Sequence, residues 1–436
     1  MPSLVNSQTH TPVHLANNPN KEALVDEFKG RSVDSLRTPA AVIDRAIFAK
    51  NCARMHDNAR AWKSKFRAHV KTHKTNEGTR LQLQSSSDST HAIVVSTLME
   101  AHEIVKGGFV ADGTVDDILY GLPIPVNKLA DLSSLWDTIA TFGATIRVLI
   151  DHPDQITAIE QFEQGLEKTR KWSAFLKVDS GGKRAGLDPS SAAFKEVLEC
   201  ALTSPHVEVF GFYCHAGNSY ASTSPEEASK FLSVELNAVN DAARLAKSFL
   251  AGIGATRESP FTLSVGSTPT AHAATPENSA KLANILNGTL ELHAGNYPLL
   301  DLQQLHTGLI HRDRFAQYVT ATVISYYRGR AADGSDEALC DAGAIAMSKD
   351  TGPSGSFGEV VGKAWKLGRV SQEHGILAED SQRADQDGIK IGEVVHIVGQ
   401  HACLILAAYP WYYIVDSEGQ GGAEVVQDVW VPWKGW

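Results

Sequence analysis

The sequence has few cysteines, no long apolar run and no excess of basic residues. Its cysteines are odd in number and scattered, which argues against a disulfide framework and favours reduced thiols inside the cell; they are Cys52, Cys200, Cys214, Cys340 and Cys403. The longest apolar run, residues 403–415, is too short to span a bilayer and is interrupted by Pro410. Residues 1–30 are polar and lack the apolar core of a secretory signal. We therefore expect a cytoplasmic protein with no membrane partner.

The charge balance argues against a nucleic-acid-binding protein. The formal net charge is -10 over 436 residues, whereas a nucleic-acid binder usually carries a basic face. The sequence also lacks GxxxxGK[ST], which argues against a nucleotide-binding P-loop. The sequence thus predicts no nucleic-acid partner, and a small molecule as the substrate.

Short apolar runs alternate with helical patterns through the first two thirds of the chain. Eight runs read as strands, at residues 66–71, 91–96, 117–121, 145–151, 174–179, 207–215, 262–265 and 289–293. Strands that alternate with helices predict parallel crossovers, and eight of them favour an α/β fold of the (β/α)8 TIM-barrel type. A doubly wound open sheet is the competing architecture.

The sequence pattern changes after about residue 310. Strand-like stretches rich in β-branched and aromatic residues follow, including 317–327, 391–398, 403–406, 411–415 and 424–431. We predict a separate all-β domain over residues 309–436 and a barrel over 45–308. Residues 1–44 form an N-terminal segment that we expect to be loosely held up to residue 30, with its strand at 38–44 joining the β domain.

The stretch FRAHVKTHKT, residues 66–75, holds a candidate nucleophile. Alternation along a strand places Arg67, His69 and Lys71 on one face, with Lys71 at the carboxyl end, where α/β proteins bind ligands. A lysine crowded by cations and partly desolvated can form a Schiff base. The alternative is a solvated basic strand end.

Two glycine and hydroxyl clusters follow the last two barrel strands, SVGSTPT at 264–270 and ELHAGNY at 291–297. Such clusters offer N–H groups and hydroxyls to a phosphate, which in barrels often lies after strands seven and eight. The candidate phosphate residues are Ser267, Thr268, Gly295, Asn296 and Tyr297. The alternative is that both segments are ordinary turns.

Two further segments end strands. KVDSGGKRAG carries Arg184, which can reach an anionic or phenolic oxygen across the barrel mouth, and YCHAGNSY carries Tyr213 and His215. A structural ion pair or a core histidine is the alternative for each.

In the strand-like segment near residue 402, His401 and Cys403 lie two apart and so face the same way, which suggests half of a Zn²⁺ site. A buried histidine and an inert cysteine are the alternative there.

Taken together, a Schiff-base lysine, an arginine loop and a phosphate cup suggest pyridoxal phosphate as the cofactor. The set HVKTHKT, DSGGKRAG, YCHAGNSY, SVGSTPT, HAGNY and HAC resembles the fold type III pyridoxal-phosphate enzymes, the alanine racemase-like barrels. Within them the sequence is most similar to the eukaryotic D-serine dehydratase and D-threonine aldolase group, over residues 38–430. Ala68 departs from the proline usual in this group.

The resemblance implies roles for these residues. Lys71 would be the Schiff-base lysine and Arg184 a contact of the cofactor ring, while His401 and Cys403 would hold the metal. The other cofactor contacts would come from His69, Tyr213, His215, Ser267, Thr268, Gly295, Asn296 and Tyr297. The family also implies a homodimer.

The implied activity is the zinc-assisted conversion of D-serine to pyruvate and ammonia, by removal of the Cα proton and elimination of the β-hydroxyl. D-threonine aldolase and D-threo-3-hydroxyaspartate dehydratase activities are alternatives, and racemisation is a third. Cys403 favours zinc and dehydration, since the aldolases generally carry a carboxylate there. A non-catalytic pyridoxal-phosphate-binding homeostasis protein is the remaining alternative, against which the strand-rich segment after residue 310 argues.

Overall fold

A computed structural model describes residues 17–275, 286–353, 355–379 and 388–436. Its strands are β1 (Ala40–Asp44), β2 (Lys65–His69), β3 (Ala92–Val95), β4 (Asp117–Pro123), β5 (Thr145–Ile150), β6 (Trp172–Val178), β7 (Val207–Cys214), β8 (Phe261–Val265), β9 (Gly288–Ala294), β10 (Gln317–Tyr327), β11 (Glu337–Cys340), β12 (Gly358–Val360), β13 (Trp365–Ser371), β14 (His374–Glu379), β15 (Val394–Gly399), β16 (Tyr412–Val415) and β17 (Asp428–Trp430).

The α-helices of the described ranges are α1 (Lys21–Phe28), α2 (Arg45–Ala61), α3 (Asn76–Leu83), α4 (Leu98–Lys106), α5 (Leu129–Ala140), α6 (Pro153–Gln164), α7 (Ala192–Thr203), α8 (Pro225–Gly252), α9 (Thr268–His272), α10 (Leu302–Leu305), α11 (Ala344–Met347) and α12 (Ala402–Ala408). In the described part of the chain, no helix combines the length and the apolar character needed to cross a bilayer.

Strands β2 to β9 form a closed parallel barrel, in which β9 pairs with β2. The predicted (β/α)8 fold is confirmed, and the open sheet is wrong. Parallel closure places all eight carboxyl ends at one rim. Several helices that return the chain begin at a side-chain cap, such as Thr97 before α4 and Ser224 before α8.

The remaining strands form a second, mainly antiparallel sheet in the order β11-β14-β13-β12-β15-β10-β1-β16-β17. Strand β1 lies in its middle, antiparallel to β10 and parallel to β16. Helix α1 covers one end of this sheet, where Phe28 packs edge-on against Tyr413 with ring centroids 5.0 Å apart. The segment predicted to be loosely held therefore contains a packed helix, and its residues 1–16 lie outside the described residues.

The prediction of a strand at residues 403–406 is wrong. These residues belong to helix α12, which follows an extended His401. The run ACLILAA consists largely of strong helix formers, and buried Ala402, Ile405 and Leu406 recur at helical spacing. An apolar run of seven residues has no periodicity that separates strand from helix, which explains the error.

The lower interior of the barrel is filled by an ionic network around Arg67. Its side chain is 1% exposed and donates to Glu291 at 2.9 Å and to Asp117 at 2.7 Å. Arg147 also donates to Asp117, at 2.8 Å. Although burial alone would lower the pKa of Arg67, its two carboxylate partners raise it. The charges are therefore buried as a neutralised set.

We expect Arg67→Met to reduce the free energy of unfolding by about 3–5 kcal/mol, because it leaves the Glu291 carboxylate buried without its cation and removes one of the two cations of Asp117. Urea unfolding followed by circular dichroism measures this. Arg244→Met is the matched control, since the Arg244–Asp241 pair is exposed and such pairs contribute about 0–1 kcal/mol. Equal losses in the two variants would contradict a structural role for the buried network.

Candidate active site

One pocket opens at the carboxyl-end rim of the barrel, where the barrel meets helix α12. We call it the main pocket; it has a volume of about 600 Å³. It is lined by Lys71, Lys177, Asp179, Gly182, Lys183, Arg184, Ala185, His215, Gly217, Asn218, Tyr220, Gln303, His401 and Cys403. Five of the predicted site residues thus meet in one cavity, from segments far apart in the sequence.

Lys71 lies in the turn that follows β2, two residues beyond His69, whereas the strand pattern predicts it as the last residue of the strand. Its backbone N–H donates to Nδ1 of His69 at 3.4 Å, and Nε2 of His69 contacts the Ser96 hydroxyl at 3.3 Å. Burial and the neighbouring Lys71 hold the pKa of His69 well below its ordinary value, so the ring is neutral. His69 therefore supports the Lys71 turn without adding charge.

His215 and Tyr213 come from the end of β7. Nδ1 of His215 donates to the carbonyl of Gly266 at 2.7 Å, and burial keeps the pKa of this ring well below its ordinary value. Because a carbonyl only accepts, the proton is on Nδ1 and Nε2 is a free acceptor. Tyr213 stacks on His293 with ring centroids 4.1 Å apart, beneath the main pocket. His293 is the first residue of the HAGNY motif, and the sequence did not predict a role for it.

The two predicted phosphate clusters meet at the rim. Ser267 caps α9 and contacts the Ser219 hydroxyl at 2.7 Å, while Thr268 Oγ1 accepts from the Asn296 backbone N–H at 3.1 Å. Gly266 has φ +145°, and a Cβ there would lie 2.0 Å from the His293 carbonyl oxygen. The two segments approach each other so closely at residue 266 that only glycine fits there.

Gly295 lies against the candidate nucleophile. A Cβ on Gly295 would fall 3.3 Å from Lys71 Cε and 3.2 Å from His69 Cβ. The Tyr297 side chain is placed differently, since its ring is fully buried and packs edge-on against Phe66 at 5.6 Å, away from the main pocket. A cofactor contact by Tyr297 stays a prediction.

His401 and Cys403 face Lys71 across the main pocket and form a hydrogen-bonded pair. Burial alone would lower the pKa of His401, but Cys403 and the nearby carboxylates raise it to about 9. Burial would raise the pKa of Cys403, yet the hydrogen bond from His401 and the charge of Lys71 lower it. The pairing therefore favours the thiolate form of Cys403, which is the form of cysteine that binds metals.

A carboxylate orients the imidazole. Asp350 Oδ2 lies 2.8 Å from His401 Nδ1, which leaves Nε2 for other ligands. Metal-binding histidines commonly donate their second ring N–H to a carboxylate in this way. Among the described residues, no group of three or more histidine, cysteine or acidic side chains is suited to hold a metal ion. The protein thus offers two donors here.

Asp301 is a positioning residue that the sequence did not reveal. This fully buried carboxylate accepts from Asn296 Nδ2 at 2.6 Å, from the Ala402 N–H at 2.8 Å and from the Gln304 N–H at 3.0 Å. It joins the loop after β9 to the first turn of α12, between His401 and Cys403. No sequence signal shows this contact, because its partners are far apart in the chain.

Lys177 was also missed, although it stands in the quoted KVDSGGKRAG motif. It is 5% exposed and lines the main pocket, with its Nζ 5.3 Å from the Tyr213 ring centroid. Burial lowers the pKa of this amine. Alternation along β6 places Lys177 on the same face as Phe175, so the sequence did contain a signal for its inward direction.

Comparison with known proteins gives matches to two families and to full-length relatives. Residues 43–279 match the alanine racemase N-terminal domain, and residues 316–415 match a serine dehydratase domain. The chain is 43% identical to the D-serine dehydratase of Schizosaccharomyces pombe, over 96% of this chain and 97% of that protein. The D-serine dehydratase of Saccharomyces cerevisiae is 35% identical, over 95% and 99% of the two chains.

Among solved structures, D-threo-3-hydroxyaspartate dehydratase from Delftia sp. HT23 superimposes with a TM-score of 0.75 at 27% identity, over 93% of this chain and 100% of that chain. The chain belongs to the alanine racemase-like family that includes the D-serine dehydratases. The cofactor of this family is pyridoxal 5′-phosphate. The residues present fit it, because the Lys71 amine faces the main pocket and Gly295 leaves open the space beside it that a Cβ would fill.

We expect Gly295→Val to weaken retention of pyridoxal phosphate at least about tenfold, since the new side chain would occupy the space beside Lys71 Cε. Cofactor absorbance after gel filtration at graded concentrations measures this. Gly252→Val is the control, because a Cβ at Gly252 meets nothing within 4 Å. Unchanged retention in a folded Gly295→Val protein would place the cofactor elsewhere.

Proposed function

We propose that this protein is a D-serine dehydratase that uses pyridoxal phosphate, assisted by a zinc ion, to convert D-serine to pyruvate and ammonia. One observation carries the proposal: a lysine amine and a cysteine–histidine pair line the same pocket. Elimination of a β-hydroxyl needs a base at Cα and a group that stabilises the departing hydroxide at Cβ. The two halves of this pocket supply the two requirements.

Pyridoxal phosphate, when bound, supplies an electron sink that makes the Cα proton of an amino acid acidic. Lys71 would hold it covalently, with Ser267, Thr268 and Gly295 at its phosphate. The substrate amine would displace the Lys71 Nζ, and the freed amine of Lys71 would take the proton from Cα. Arg184 lines the same pocket, where its guanidinium approaches Gly217, and it would donate to an anionic oxygen there.

The metal proposal concerns His401 and Cys403. Their donor set is one imidazole and one thiolate, which suits zinc better than a harder ion, and a catalytic zinc keeps positions open for water or substrate. Zinc would supply Lewis-acid help to the β-hydroxyl. The hydrogen bond to Asp350 keeps His401 Nε2 directed away from that carboxylate, so the imidazole is oriented before any metal binds.

Borohydride reduction of the holoprotein, followed by peptide mass spectrometry, tests the lysine assignment. We expect the pyridoxyl group on Lys71. Lys74 is the nearby competitor, but its amine pairs with Glu100 at 3.0 Å. Modification of Lys74, or of neither lysine, would contradict the assignment.

We expect Cys403→Ala to lose zinc and to reduce pyruvate formation from D-serine at least about 100-fold, because hydroxide is a poor leaving group without a Lewis acid. Cofactor absorbance should persist, since Cys403 is not a predicted cofactor ligand. Zinc content by atomic absorption and pyruvate by a coupled assay are the measurements.

Cys200→Ala is the matched control, because Cys200 is a half-buried thiol on α7, outside the main pocket. Full-rate pyruvate formation by chelated wild type would rule out the metal. Faster cleavage of D-threonine to glycine than dehydration of D-serine would instead favour an aldolase.

The homodimer implied by the family and the cytoplasmic location both stay predictions. Analytical ultracentrifugation of the holoprotein tests the first.

A further inference from the structure

A second cavity adjoins the main pocket on the side of His401. We call it the side pocket; it has a volume of about 460 Å³ and shares Gly217, Asn218, Tyr220 and Gln303 with the main pocket. The remaining wall includes His306, Asp350, Gly352 and Gln400. None of these four residues has a role in the function proposed above apart from the contact of Asp350 with His401.

Gln400 contributes a buried amide to the wall of this cavity. The residue is 2% exposed, and its Nε2 donates to the Ser356 carbonyl at 3.0 Å. Since a carbonyl can only accept, this bond fixes the orientation of the amide. Its Oε1 is buried and has no hydrogen-bond partner among the described residues. A Cβ on Gly352 would lie 2.5 Å from that oxygen, so Gly352 packs directly against it.

Gln303 adds a second such acceptor. Its Oε1 is also buried without a partner in the described ranges, and its backbone N–H donates to the Gln400 carbonyl at 3.2 Å. Buried polar atoms are nearly always hydrogen-bonded, so these two unpaired amide oxygens make the wall around Gln303 and Gln400 one that lacks donors.

The wall contains no lysine or arginine. Asp350 contributes a carboxylate, and burial lowers the pKa of His306, so that its imidazole is neutral at pH 7. The nearby Arg312 pairs with Glu359 at 2.6 Å and is not part of the wall. The main pocket differs, because Lys71, Lys177 and Arg184 give it positive charge.

We propose that the side pocket is the subsite for the β-substituent of a D-β-hydroxy amino acid, and that it admits uncharged substituents and excludes a carboxylate. This inference rests on the proposed function. A Cβ whose hydroxyl is held at His401 has the side pocket beside it, because Asp350 both contacts His401 and lines that cavity.

The charge difference between the pockets also orients the substrate. The α-carboxylate would pair with the cations of the main pocket, whereas a second carboxylate in the side pocket would meet the carboxylate of Asp350, and no lysine or arginine is among the residues that line that pocket. Like charges placed together cost binding free energy. Hydrogen, methyl or hydroxyalkyl substituents carry no charge and avoid this cost.

The test compares kcat/KM of the metal-loaded holoenzyme for D-serine, D-threonine and D-threo-3-hydroxyaspartate, by coupled assays of the keto-acid products. We expect D-threo-3-hydroxyaspartate to be at least about tenfold poorer than D-serine. Equal values would overturn the subsite while leaving the proposed function intact. No turnover of D-serine would instead overturn the proposed function, and the subsite with it.

Gln303→Lys places an ammonium where the β-carboxylate lacks a partner. We expect the ratio of kcat/KM for D-threo-3-hydroxyaspartate over D-serine to rise at least about tenfold. Gln372→Lys is the matched control, because it adds the same charge at an exposed position in the hairpin between β13 and β14. An unchanged ratio in a Gln303→Lys protein that retains cofactor would overturn the subsite.

Gly352→Val provides an independent arm if the lysine variant does not fold. The added Cβ would lie 2.5 Å from Gln400 Oε1 and 2.6 Å from His306 Cε1, so these two wall residues would have to shift and the side pocket would change shape. We expect the ratio of kcat/KM for D-threonine over D-serine to fall at least about fivefold, because only D-threonine carries a methyl group there. An unchanged ratio would show that the β-substituent lies elsewhere.

Discussion

The three hydrogen bonds accepted by Asp301 determine how the two parts of the candidate site meet. One bond comes from Asn296 in the loop after β9, and another comes from the Ala402 N–H, between the two candidate metal donors. The carboxylate is fully buried, so water cannot replace either donor. The position of His401 and Cys403 relative to Lys71 therefore depends on one side chain that itself takes no part in the chemistry.

Charge is layered along the barrel axis. Arg67 and Arg147 with Asp117 and Glu291 form a neutralised layer in the lower interior. Above it, burial lowers the pKa values of His69, His215 and His293, so these imidazoles act as neutral donors and acceptors. On the barrel side of the main pocket, positive charge thus comes from lysine and arginine and not from histidine, and it is available for anionic groups of a cofactor and substrate.

The sequence predicted those residues whose position follows from strand periodicity and barrel closure. Lys71 and His215 lie at strand ends, and parallel closure necessarily brings such ends together. His401 and Cys403 reach the main pocket although the reason given for them was wrong, since they begin a helix and do not share a strand face. Asp301, Asp350 and Gln400 could not be predicted, because the contacts that define them join distant segments through single hydrogen bonds.

This distribution separates two chemical tasks. The barrel supplies the amine and the cations, which any α-amino acid requires in the same positions. The segments around residues 350–352 and 400–403 supply the candidate metal donors and the wall of the side pocket, which in the proposed function would meet only what is attached at Cβ. Changes in those segments can therefore alter which β-substituent is accepted without disturbing the base at Cα. A fold of this kind can keep one reaction and vary its substrate, because function depends on residues grafted onto a shared scaffold.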